Sequence, residues 1–228
     1  MNILSILLQI TDLEQVVEPT EIRMSLWELA VQGGWIMLIL GIFSMIAVYI
    51  FIERFATISK AAKKDDFFMD TIRNYMIDGK LNEAKILCQK SGTPLSRMIE
   101  KGISRIGKPL NDIQTAIENV GNLEVSNLEK GVALLAMISG AGPMLGFLGT
   151  VIGMIRAFYD MSMAGNNIDI ELLSTGIYQA MVTTVGGLIV GIIAFIFYNV
   201  LVSQIDKVVN LLESKSIEFM DVLNEPSK

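Results

Sequence analysis

The sequence predicts an all-α integral membrane protein: three transmembrane helices, a helical cytoplasmic domain, and long second and third helices extending into the cytoplasm. Three observations carry this. Of 228 residues, 52% are hydrophobic and only 18% charged, and the mean hydropathy is +0.51, which is not the composition of a water-soluble globule. Three apolar stretches are long enough to cross a bilayer. The polar segment between the first two repeats apolar residues with helical period and carries almost no strand signal.

Residues 1–33 open with MNILSILLQI, which has neither a basic leading segment nor a small-residue cleavage site and is followed by Asp12 and Glu14. They read as a retained periplasmic or interfacial segment, with a short apolar or amphipathic helix on the membrane surface. Residues 34–52 (GWIMLILGIFSMIAVYIFI) are uncharged and form the first span. The second span, 132–157, takes in all but the first residue of a 25-residue run from Gly131 to Ile155 without a formal charge, rich in Gly and containing Pro143, and ends just past Arg156. The third, 174–200, lies in 34 uncharged residues from Leu172 to Ile205, more than a core of roughly 30 Å requires. It is therefore expected to protrude from the bilayer, into a helical tail over 201–228.

Lys and Arg set the orientation. Residues 53–131 hold 13 of the 18 basic residues, whereas residues 1–33 hold one, Arg23, against five acids. The loop at 158–173 has none. By the positive-inside rule the 53–131 domain and the C-terminus are cytoplasmic, and the N-terminus and the 158–173 loop are outside.

Within 53–131, Asp65 or Asp66 can cap a helix that Asp78-Gly79 ends. A second runs from Leu81 to Lys90, a third from Pro94 to Arg105, and a fourth starts at Pro109. No strong breaker follows before Pro143, because Gly121 and Gly131 only weaken a helix, so one long helix is expected to rise from the cytoplasm into the second span. Cys88, the only cysteine, reads as a small buried apolar residue.

Several functions are excluded. The chain has no His, which removes Ser-His and Cys-His pairs and imidazole metal sites. With no carboxylate at membrane depth in the second or third span either, no catalytic base is evident. An enzyme, a metal site and a cofactor are not expected. A net charge of −6 argues against nucleic acid.

At 100° per residue, Gly142, Gly146, Gly149 and Gly153 fall within a stripe of about 60° on the second span, with Ser139 and Thr150 at its border. On the third, Gly176, Ala180, Thr183, Thr184, Gly187, Gly191 and Ala194 share a sector of about 100°. Such faces suit close helix packing. Thr150, Thr183, Thr184 and Gln179 also put polar groups at membrane depth, where they need a partner or a water-lined path. They are the candidate ion-path residues. Arg156, Glu53 and Arg54 read as interfacial anchors.

The strings GFLGTVIGMIRAF (146–158) and GIYQAMVTTVGGLIVGIIAFIFYNV (176–200), with the Glu53-Arg54 pair, resemble the signatures of the MotA/TolQ/ExbB family, and most closely its ExbB/TolQ branch. The resemblance implies an inner-membrane proton-channel or stator subunit of a Gram-negative cell. It would form a homopentamer around the single spans of two ExbD/TolR-like partner chains and drive a TonB- or TolA-like protein with the ion-motive force; a membrane scaffold without ion flow is the alternative reading. By position Thr150 and Thr184 match the family's two pore-lining threonines, Pro143 its second-span proline, and Tyr198-Asn199 its Tyr-Asn pair. Two positions depart: Gln179 stands where many relatives carry Glu, and Ile193 where they carry Pro, which implies a straighter third helix. Since neither the second nor the third span can titrate, a partner must supply the ionisable group. Threonine hydroxyls could serve a partner carboxylate or a dehydrated Na⁺, and both remain open.

Overall fold

The computed structural model describes residues 33–62, 66–163 and 170–224. Among the described residues there is no strand. The elements are α1 (Gly34–Ala61), α2 (Asp66–Ile77), α3 (Leu81–Ser91), α4 (Pro94–Ile103), α5 (Leu110–Glu129), α6 (Val132–Met163) and α7 (Ile170–Asn224). The expected surface helix at the N-terminus lies outside these residues. Three stretches are long and apolar enough to cross a membrane, namely α1, α5–α6 and α7, so the protein is a multi-pass membrane protein.

The extramembrane helices form where the breakers permit. Gly79 (φ +71) and Gly92 (φ +62) close α2 and α3 in the left-handed region, which glycine enters without a Cβ penalty. Thr93 caps α4, its hydroxyl accepting from Ser96 N at 3.2 Å, with Pro94 in the first turn. These helices pack on α1 and on the lower half of α7 through Ile58, Ile72, Ile99, Ile117, Val208 and Phe219, none more than 0% exposed. Each such side chain contributes about 2–3 kcal/mol by leaving water. Cys88 is buried among them, as its sequence context predicts.

Three boundaries differ from the sequence reading. First, no single helix rises from Pro109 into the second span: α5 ends at Glu129, Lys130 turns to ψ 128, and Gly131 takes φ +79 before α6 begins. The joint lies against α1. A Cβ on Gly131 would sit 3.6 Å from Ile50 Cγ2 and 4.0 Å from Arg54 Nε. Arg54 also donates from Nη1 to the Asn127 carbonyl at 3.1 Å, satisfying one of the free carbonyls at the end of α5. Second, the loop expected at 158–173 is largely helical, because α6 continues to Met163 and α7 starts at Ile170. Third, α1 continues past Ile52 to Ala61, carrying Glu53 and Arg54 on its length. Pro143 does not interrupt α6, and α7 runs unbroken through Ile193 for 55 residues.

Candidate functional site

The α6 and α7 helices run antiparallel with their small-residue faces in contact. A Cβ added to Gly187 would lie 2.6 Å from Gly142 O and 2.8 Å from Gly146 Cα. Added to Gly146 it would lie 2.9 Å from Thr183 O, and to Gly153, 3.2 Å from Gly176 O. Backbone therefore packs on backbone over four turns, and only glycine permits that approach. Pro143 is accommodated in the same way. It leaves Ser139 O without its helical donor, and Gly191 faces both that carbonyl and the proline ring at distances a side chain could not tolerate. The glycine stripe read from the sequence is thus the contact face of this helix pair.

The four candidate polar residues divide between three positions. Thr183 lies in the contact itself, 1% exposed, against Gly149; its hydroxyl donates to Ala180 O at 2.7 Å, with Gly146 O at 3.5 Å. It is a packing residue in this arrangement. Thr184 stands at the edge of the contact and donates across it to Gly146 O at 3.1 Å. Thr150 donates to Phe147 O at 2.6 Å in its own helix. Each of these two residues lies about 80° from the first glycine of its stripe, counted in the same sense along its helix, and in an antiparallel pair both offsets fall on the same edge. Their levels differ by about one turn. Thr150 there lines a shallow apolar groove with Val151, Met154, Ile155 and Phe158.

Gln179 is on the opposite edge. That edge is covered by α1: Met37 Sδ packs where a Cβ of Gly186 would be, at 2.8 Å, and Phe51 stacks on Phe197 with ring centroids 4.1 Å apart. Gln179 Nε2 lies at the start of α1, 2.9 Å from where a Cβ of Gly34 would be. The structure therefore does not group Gln179 with the two edge threonines. The offset that separates them, about 140° on the helix wheel, is readable from the sequence once α1 is known to take one side. Arg156 is exposed near the far end of α6, Tyr198 packs against the core, and Asn199 donates to Phe195 O at 2.8 Å. Arg54 Nε lies 2.9 Å from the Glu53 carboxylate, out of hydrogen-bond line. The partner of Arg54 at Asn127 carried no sequence signal, because the acceptor is a backbone carbonyl.

Thr150 and Thr184 thus present an uncovered polar edge flanked by exposed Phe147, Met181, Val185 and Leu188. Both hydroxyl protons are committed to carbonyls, which leaves oxygen lone pairs facing outward. That chemistry accepts from a protonated carboxyl group or ligates a hard cation, and an ionised carboxylate would require the hydroxyls to turn.

A family model described as the MotA/TolQ/ExbB proton channel family matches residues 90–214. An ExbB homolog of Methanothermobacter thermautotrophicus is 33% identical over 120 residues, 53% of this chain and 42% of that protein. An ExbB-like protein of Synechocystis is 27% identical over 74% of this chain and 80% of its own length. The Tol-Pal system protein TolQ of Haemophilus influenzae is 29% identical over 82% of this chain and 84% of its own. The chain spans less than half of the first relative and about four fifths of the other two. The matched region runs from the end of α3 through the α6–α7 pair and its two threonines, and on that match the chain belongs to the MotA/TolQ/ExbB proton channel family.

Proposed function

We propose that the protein is an ExbB-like ion-conducting stator subunit of the inner membrane, with its N-terminus periplasmic and its C-terminus cytoplasmic. As a pentamer around an ExbD-like single-span partner, it uses the ion-motive force to energise TonB-dependent transport across the outer membrane. The observation that carries this reading is the threonine edge: two hydroxyls at membrane depth, on the side of the α6–α7 pair that α1 leaves open, in runs (131–155 and 172–205) that contain no Asp, Glu, Lys, Arg or His. The titrating group is then the partner's carboxyl, and the edge is where it works. A TolQ-like role in envelope integrity is the second reading, favoured by the length of the match to the Haemophilus protein. The periplasmic domain of the single-span partner separates the two.

Replacing both Thr150 and Thr184 by Val keeps their volume and removes the hydroxyls. Energised uptake through an outer-membrane receptor is expected to fall to background, with the partner still co-purifying. The Thr→Ser pair is expected to keep part of the activity. Gln179→Ala, on the covered edge, is expected to be milder. Full uptake in the double Val variant would refute the assignment.

A further inference from the structure

Among the described residues one buried side-chain nitrogen or oxygen has no hydrogen-bond partner, and it is Nε of Arg54. Native proteins seldom leave such an atom unpaired. The Arg54 side chain is only 18% exposed, and two acceptors stand beside it. Nη1 donates to Asn127 O at 3.1 Å, while the Glu53 carboxylate lies 2.9 Å from Nε but out of line. The guanidinium is a rigid planar fork, so turning it to aim Nε–H at Glu53 swings Nη1 off Asn127 O. The two acceptors therefore compete for one group.

The carbonyl they compete over belongs to the joint between α5 and α6. In an unbroken helix Asn127 O would accept from the N–H four residues on, that of Gly131. At φ +79 Gly131 has left the helix, and Arg54 Nη1 takes the place of its N–H. Once Arg54 lets go, Asn127 O regains a partner if Gly131 turns helical and α5 runs on into α6, and glycine permits both conformations. The packing leaves α5 room to follow: a cleft of about 620 Å³ parts Gly121 and Val125 of α5 from Val209 and Leu212 of α7. We propose that Arg54 is the switch of this joint. Bound to Asn127 O it keeps the joint bent; bound to Glu53 it yields Asn127 O to Gly131 N–H and joins α5 and α6 into one helix. This device goes beyond the channel reading and does not depend on it.

The test is amide hydrogen exchange of the full chain in detergent micelles, read at Gly131, Val132 and Ala133. In the bent form these amides open α6 and have no helical acceptor, whereas in the joined form they bond to the carbonyls of Asn127, Leu128 and Glu129. Arg54→Gln is expected to slow their exchange about tenfold, the scale of one hydrogen bond from a charged group, with the amides of α4 unchanged. An arginine that only stabilises the fold predicts the opposite sign, so faster or unaltered exchange at these three positions would overturn the proposal. Glu53→Gln removes the competing charge and is expected to leave the joint bent, with exchange no slower than in the unaltered chain; slowing would overturn it too. Gly131→Ala reaches the joined form with Arg54 intact. Its Cβ would meet only ordinary contacts, 3.6 Å from Ile50 Cγ2 and 4.0 Å from Arg54 Nε, but φ +79 is strained for alanine. This variant is expected to slow the same three amides and keep the protection of α4. Loss of protection in both places would show that no joined form exists and would overturn the switch.

Discussion

The α6–α7 pair and the extramembrane helices are held together by opposite uses of side-chain size. Between α6 and α7 the contact consists of glycine, alanine and threonine, and backbones meet directly. In the extramembrane domain it is dominated by larger side chains, mainly Ile, Leu, Val, Phe and Met, and Gly102 and Gly121 there meet side chains rather than backbone. The reason is the solvent. Lipid tails are as apolar as any side chain, so burying Leu or Phe between two spans gains little, and close packing with backbone contacts has to hold them together. In water the same large side chains supply most of the stability. The two regions are therefore expected to fail in opposite ways, one when a residue grows and the other when it shrinks.

The largest effect is expected from Gly187→Leu. Its Cβ alone would come within 2.6 Å of a backbone oxygen that cannot move aside, so the variant is expected to lose the folded helix pair. Gly140→Leu, on the same span with nothing within 4 Å of its Cβ, is expected to be nearly neutral. Size-exclusion profiles of the two in detergent give the comparison, and identical profiles would break it. The next effect is the converse. Phe219→Ala in the extramembrane core is expected to cost about 3–5 kcal/mol, read from chemical unfolding. Phe147→Ala, 66% exposed on the membrane span, is expected to cost little. Equal losses would show that exposed aromatics on the span stabilise this protein as core ones do.

The smallest effect concerns Cys88. Burial, with the negative charge of Glu100 adding to it, pushes the thiol up to about 12. Below its ordinary value of 9.0 it is neutral in both states and costs nothing. As pH rises from there toward about 12, the unfolded chain ionises first, so stability is lost across that window. Cys88→Ala is expected to remove this part of the alkaline loss, seen in thermal midpoints between pH 8 and 11. In the folded protein at neutral pH the thiol is expected to resist maleimide until denaturant exposes it.

Much of this was legible in the sequence. The spans followed from runs without charge, the extramembrane helices from Gly79, Gly92 and Pro94, and the contact face from the spacing of Gly142, Gly146, Gly149 and Gly153. What stayed hidden depended on neighbours. Gly131 reads as a weak helix residue in isolation, yet in the fold it takes φ +79 and forms a joint beside Ile50 and Arg54 of α1. Gln179 looks like a companion of Thr184 by polarity and depth. It is set apart because α1 takes one edge of α7 and leaves the other, a choice made by Met37, Phe51 and Phe197, which no local pattern announces. Thr183 and Thr184 are adjacent in sequence, yet a 100° turn puts one inside the contact and one at its rim.

The α7 helix is also a lever. At 55 residues it is about 80 Å long at 1.5 Å per residue, and no joint separates the part beside Thr184 from the part carrying Phe219. Of the other two connections between the layers, α1 and α5–α6, the second is hinged at Lys130-Gly131. Angular displacement of the membrane end of α7 is thus delivered undiminished to the far end of the molecule. A tilt of 5° about the level of Val200 would carry Asn224 through about 3 Å, given roughly 36 Å of helix between them. The second route can absorb the same displacement at a single glycine.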